Sequence, residues 1–218
     1  MSLELFAHPF SSYSWKALIA LYENDTPFNF RMLGPDHPDN YGQLVSLWPI
    51  AKFPLLLDGA TEVFEASTII EYLQLSHPGP VRLIPDDPAA AIEVRMLDRV
   101  FDNYVMTPMQ QFVDDALHPK DAKESSVIKA RKTLDTIYAF LNNRIAGRSW
   151  AAGDDFTLAD VSAAPSLFYA DWVHPIAEEH GNLRGYRTKL LAHPSIKRVV
   201  DEARPYRPLF PLGAPDRD

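Results

Sequence analysis

The 218-residue chain contains no cysteine. Disulfides, thiolate metal sites and cysteine nucleophiles are excluded with it, and a reducing cytosol suits such a chain at least as well as export. Glycine is scarce, with 9 residues, and no glycine-rich phosphate loop occurs. The 7 histidines show no His-Glu-x-x-His or similar ligand spacing, so no metal is expected. No run approaches the ~20 apolar residues that span a bilayer, and the opening Met-Ser-Leu-Glu carries neither a basic region nor an apolar leader. A cytoplasmic protein is expected. Basic residues are outnumbered, 21 Lys and Arg against 29 Asp and Glu, for a net charge of -8. Such a surface repels phosphate backbones and anionic lipid heads, so neither nucleic acid nor a membrane is expected as a partner.

What is present is the composition of a folded chain: 46% hydrophobic and 23% charged, too apolar for a mainly disordered protein. Its length allows two small cores. Leu3 to Ala7 reads as a short buried strand, broken by His8-Pro9-Phe10-Ser11-Ser12. From Tyr13 the apolar spacing is helical through Trp15, Leu18, Ile19 and Tyr22, until Asn24-Asp25 and Pro27 end it. Phe28 to Leu33 reads as a second strand, Tyr41 to Leu47 as a short helix, and Phe53 to Leu57 as a third strand. Asp58-Gly59 marks a hairpin into Glu62-Val63-Phe64. Helical spacing returns at Ile69, Ile70 and Leu73 and closes at His77-Pro78-Gly79. The order β-α-β, loop, β-β-α is the thioredoxin arrangement.

The rest reads as all helical. Residues 1–77 form the expected α/β domain, 78–88 a proline-rich linker, and 89–218 a helical-bundle domain. Ala89 to Leu117 shows an apolar stripe of Ile92, Met96, Val100 and Tyr104, with Leu97 and Phe101 on the neighbouring ridge. Pro108 is expected to kink that helix. Tyr104, Met106 and Met109 are candidates for a hydrophobic pocket, although such a stripe is more often core. Ser125 to Ala146 is a further helix stopped by Gly147. Thr157-Leu158-Ala159-Asp160 is a capping box with Phe156 and Val161 as its hydrophobic staple, a structural device with no part in chemistry. Pro194-Ser195-Ile196 opens a last helix, and the tail Asp216-Arg217-Asp218 is expected to be loose.

Several local sequences resemble the soluble glutathione transferases. Ser11-Ser12-Tyr13-Ser14-Trp15-Lys16 is similar to the catalytic loop of the serine-type enzymes, and of the zeta class in particular; Tyr13 stands where that class has cysteine, and Lys16 where it has arginine. Lys52-Phe53-Pro54-Leu55-Leu56 is similar to the family's segment around a cis-proline. Phe64-Glu65-Ala66-Ser67-Thr68-Ile69-Ile70 is similar to its glutamate-serine motif, with Ala66 where a serine is usual. Thr157 to Asp160 matches its helix cap.

The resemblance implies glutathione as co-substrate, a small electrophile as second substrate, a homodimer, and a role in detoxification. It implies Ser11 as donor to the glutathione thiolate, with Ser12 and Tyr13 as fallbacks within reach of the same junction. On its own residues Ser11 reads first as a helix cap; the other motifs turn the reading to the thiolate. Glutathione-binding residues would be Lys52, Phe53, Pro54, Glu65, Ala66 and Ser67: Lys52 toward the glycyl carboxylate, the Phe53 backbone toward the cysteinyl backbone, and Glu65 toward the α-ammonium. Ser67 is a candidate to replace the hydroxyl missing at Ala66. The zeta-like loop allows a second activity, cis–trans isomerisation of a maleylacetoacetate-type dienoic acid, with Arg95 and Arg99 as candidate basic groups. Ala66 allows a third reading, a non-catalytic binding or regulatory module.

Overall fold

The computed structural model describes residues 3–218. The chain divides into two compact units, one ending at Leu83 and the other beginning at Ile84.

The first unit is a four-stranded mixed sheet with three helices: β1 Leu3–Ala7, α1 Ser12–Glu23, β2 Phe28–Met32, α2 Pro38–Leu47, β3 Leu55–Asp58, β4 Thr61–Phe64 and α3 Ala66–Ser76. The strand order is β2-β1-β3-β4. The crossover through α1 makes β1 and β2 parallel, and the other pairs are antiparallel. Alternation along each strand sorts side chains to two faces. Phe6, Leu55 and Leu57 share one face with Leu33 and Leu44. Leu5 and Leu56, paired across the β1–β3 ladder, point the other way, and α1 packs along α3. This is the expected thioredoxin-like order. Helix α2 starts three residues earlier than its apolar spacing predicts, because Pro38 suits a first helical turn. Strand β3 starts two residues later, because Pro54 has no N–H to give to the ladder. Gly59 turns the β3–β4 hairpin with φ 62°.

Residues 78–83 are fastened to this unit. The Asn24 side chain accepts from Val81 N–H at 2.8 Å and donates to its carbonyl at 3.1 Å. Gly79 passes so close to Asn24 that a Cβ there would lie 2.2 Å from Oδ1.

The second unit is helical: α4 Pro88–Val100, a π-helical turn Phe101–Met106, α5 Thr107–Leu117, α6 Glu124–Arg144, α7 Leu158–Val173, α8 Gly181–Ala192, α9 Pro194–Ala203, and a 3-10 segment Arg204–Leu209. Helix α7 is its axis, buried from Leu158 to Asp171 and packed on α4, the π-turn, α5 and α8. Its capping box forms as expected. The Asp160 carboxylate, fully buried, accepts from the N–H groups of Thr157 at 2.9 Å and Ala151 at 2.8 Å and from the Tyr186 hydroxyl at 2.6 Å.

Several expectations are corrected here. The stripe of Ile92, Met96 and Tyr104 is exposed, and the buried stripe is Ala91, Val94, Asp98, Phe101 and Val105. A carboxylate hides that stripe from a hydrophobic reading; Asp98 is buried because the Ser162 hydroxyl donates to it. Met106 and Met109 are core residues, so with Tyr104 on the surface the three do not line one pocket. At Pro108 the preceding π-turn, where Thr107 N–H bonds Asp102 carbonyl, gives way to the first turn of α5, where the missing N–H matters least. The tail is not loose either. Arg217 pairs with Asp171 and donates to its carbonyl at 2.7 Å, and Asp218 pairs with Arg204 and Arg207.

Candidate functional site

The sheet register gathers the three candidate motifs of the first unit. Phe6 pairs with Leu55 and Leu55 with Phe64. The loop after β1, the segment before β3 and the start of α3 therefore leave the sheet at the same end of the strands. Ser11, Ser12 and Tyr13 arrive on the first of these, Lys52, Phe53 and Pro54 on the second, and Glu65, Ala66 and Ser67 on the third.

Ser11 is the N-cap of α1, with extended backbone, and its Oγ accepts from Ser14 N–H at 3.3 Å. Its own N–H donates to the His8 carbonyl at 3.0 Å. Two further bonds set the loop. Trp15 Nε1 donates to the Pro9 carbonyl at 2.6 Å, and Phe10 N–H donates to His8 Nδ1 at 3.1 Å. The latter requires an unprotonated Nδ1, and burial holds the His8 imidazole below its ordinary pKa. Ser12 is buried, and Tyr13 is half-buried with the Lys16 ammonium 5.9 Å from its ring centroid.

The Phe53–Pro54 bond is cis. Lys52 is exposed, Phe53 half-buried and Pro54 buried. Phe53 leans on the same apolar cluster as Trp48 and Phe64, whose rings stack at 4.4 Å.

Glu65 precedes α3 with φ 67°, a left-handed backbone in a residue other than glycine. Its side chain is exposed and does not cap the helix. Ala66 and Ser67 are buried in the first turn. The Ser67 hydroxyl accepts from Lys16 Nζ at 2.9 Å, a bond that spans 51 residues of sequence. Lys16 is 1% exposed. Sequence reading noted Lys16 only as a departure from a family motif. The available signal was its place between Trp15 and Leu18 on a helix whose middle is otherwise apolar.

Comparison with known proteins gives the family. The chain is 24% identical over 192 residues to "Glutathione S-transferase GstB" of Escherichia coli K12, covering 85% of this chain and 91% of that protein. It is 24% identical over 214 residues to a "Probable maleylacetoacetate isomerase" of Caenorhabditis elegans, covering 97% and 92%. Among solved structures, a glutathione S-transferase of Methylobacterium radiotolerans in complex with glutathione sulfonate superposes with a TM-score of 0.78 at 26% identity, over 92% of this chain and 95% of that one. Residues 1–74 match the model of the glutathione S-transferase N-terminal domain and residues 102–194 that of the C-terminal domain. The chain belongs to the glutathione S-transferase family.

Proposed function

We propose that the first unit binds glutathione as a co-substrate, holds it as the thiolate, and adds it to a small, partly apolar electrophile. The observation that carries this reading is the state of Ser11. Its Oγ accepts the Ser14 N–H, which leaves the hydroxyl proton to donate outward. It does so at the positive end of α1, where an anion is favoured. A free thiol has a pKa of ~8.5, which helix N-termini lower by roughly one to several units. A hydroxyl donor that prefers S⁻ to SH adds to that effect, and holding thiolate and electrophile together supplies the rest. Capping and catalysis are compatible in Ser11 because one uses the oxygen lone pair and the other the proton. Ser12 and Tyr13 remain the alternative donors, and the chemistry calls on no metal.

The other contacts follow from the same end of the sheet. The Phe53 backbone pairs with the cysteinyl residue, and Lys52 meets the glycyl carboxylate. Glu65 takes the α-ammonium, and the first-turn N–H groups of α3 take the γ-glutamyl carboxylate. Ala66 offers no hydroxyl, and the Ser67 oxygen, one residue on, accepts from Lys16 Nζ.

The test is retention on immobilised glutathione followed by assay with a chloroaryl electrophile. Retention with conjugation supports the transferase. A folded protein that is not retained overturns it and supports a non-catalytic module, the reading that Ala66 favours. A second enzymatic reading, glutathione-assisted isomerisation of a dienoic dicarboxylate, is favoured by similarity to the nematode protein named a probable maleylacetoacetate isomerase. Its basic group would not be Arg99, whose guanidinium lies 2.5 Å from Asp98. Turnover of maleylacetone in the presence of glutathione decides between the two activities.

We also propose a homodimer that works in the cytoplasm in detoxification. The exposed Ile92, Met96 and Tyr104 on α4 and the π-turn favour isologous burial. A light-scattering mass of one 24.6 kDa chain at working concentration overturns the dimer.

A further inference from the structure

Lysine is almost never fully buried without a partner, and burying its ammonium opposes folding unless that charge is held. Leucine or methionine would fill the same volume without that opposition. Lys16 is nonetheless 1% exposed, and its Nζ reaches the Ser67 hydroxyl at 2.9 Å. Both ends of this bond stand beside the candidate site. Lys16 is in the second turn of α1, with its ammonium 5.9 Å from the Tyr13 ring centroid. Ser67 is the second residue of α3, two positions after Glu65.

Glu65 supplies an independent observation. Its φ of 67° places Cβ against its own backbone carbonyl. Such a conformation persists in a residue other than glycine only where the surroundings hold it, and it is found mostly at functional sites. Restraint from the N-terminal side comes from β4, which ends at Phe64 in register with Leu55. Restraint from the C-terminal side comes from the first turn of α3, and Lys16 grips that turn through Ser67.

We infer that Lys16 is the positioning residue for the amino-acid end of the ligand: by fixing Ser67 it holds the strained Glu65 and the first-turn N–H groups of α3 at a set distance from the thiol donor on α1. The inference rests on the glutathione reading and deepens it by assigning recognition of the γ-glutamyl group to a residue that does not touch it. Losing Lys16 therefore weakens ligands that carry a γ-glutamyl group and spares those that lack it.

The test is calorimetric titration of the full chain with three probes: glutathione, γ-glutamylcysteine and cysteinylglycine. Wild type, Lys16→Arg, Lys16→Met and Ser67→Ala are compared. The expected result is that Lys16→Met weakens glutathione and γ-glutamylcysteine about tenfold and cysteinylglycine less than twofold. Lys16→Arg, which keeps a donor there, is expected to retain most of the wild-type affinity. Ser67→Ala removes only the accepting oxygen and is expected to reproduce the same selectivity in smaller measure, so it decides the matter if Lys16→Met does not fold. Equal weakening of all three probes, or of none, overturns the inference and leaves Lys16 a packing residue while the glutathione reading stands. Wild type that binds none of the three overturns both.

Discussion

The oxygen of Ser11 accepts the backbone N–H of Ser14 at 3.3 Å, closing the first turn of α1 directly after β1. One side chain is thus both a helix cap and the proposed thiolate donor, and its removal is expected to show in two measurements. Ser11→Ala loses a cap, which lowers stability by about 1 kcal/mol. It also loses a donor to a developing anion, for which the upper range is roughly 10²–10³ in rate. Turnover at neutral pH is expected to fall, and raising the pH is expected to restore part of it, since bulk base then does what the hydroxyl did. A pH–rate profile of wild type, Ser11→Ala, Ser12→Ala and Tyr13→Phe checks this. A shift in Tyr13→Phe alone assigns the donor to the tyrosine.

Ala66 starts α3 where the family usually has serine. Restoring a hydroxyl there adds a donor to the ligand carboxylate, and hydrogen bonds to charged groups contribute about 1.5–3 kcal/mol. Ala66→Ser is expected to tighten glutathione binding by about tenfold or more, measured by the same titration. Unchanged or weaker binding would mean that the γ-glutamyl carboxylate sits elsewhere.

His8 gives the loop before Ser11 a pH dependence of known sign. Burial depresses its pKa below 6.5, and its Nδ1 accepts from Phe10 N–H. The folded loop therefore binds the proton less readily than the unfolded chain. Its contribution to stability is complete above about pH 6.5 and shrinks as pH falls from there toward the folded pKa. The stability difference between wild type and His8→Leu is expected to narrow between pH 7.5 and pH 5. The His8 resonance should titrate with a midpoint below 6.5, and a midpoint above it would reverse the sign.

Asp160 anchors the start of α7 by accepting from Ala151, Thr157 and Tyr186 within the second unit. Asp160→Ala leaves those buried donors without an acceptor, at about 1–3 kcal/mol each. A loss of about 3 kcal/mol or more in chemical denaturation is expected. Tyr186→Phe, which removes one donor and leaves the others satisfied, is expected to lose about 1 kcal/mol. Equal losses in the two variants would show that the network is not centred on the carboxylate.

Removing Arg217 and Asp218 is expected to destabilise the second unit by about 1–2 kcal/mol, since Asp171 then keeps Arg187 but loses Arg217. Thermal melting of the shortened chain checks it, and an unchanged midpoint would show that these half-buried pairs contribute nothing measurable.

What the sequence determined by itself is local. The short apolar run of Leu3 to Ala7, the helical spacing from Trp15 to Tyr22, the Asp58-Gly59 turn and the Thr157–Asp160 box each act within a few residues, and each appears in the structure as read. The motifs around Ser11, Pro54 and Glu65 were also legible, because backbone sites at the ends of strands and helices are written in contiguous residues. Tertiary structure decided what depends on partners far along the chain. Asp98 turns a polar position of α4 into its buried face because Ser162, 64 residues away, and the neighbouring Arg99 both donate to it. The tail is held because Asp171, 46 residues away, meets Arg217. Ser67 meets Lys16 across 51 residues. Periodicity and caps record the backbone's own geometry, whereas the burial of a charge is determined by whether the fold brings it a partner.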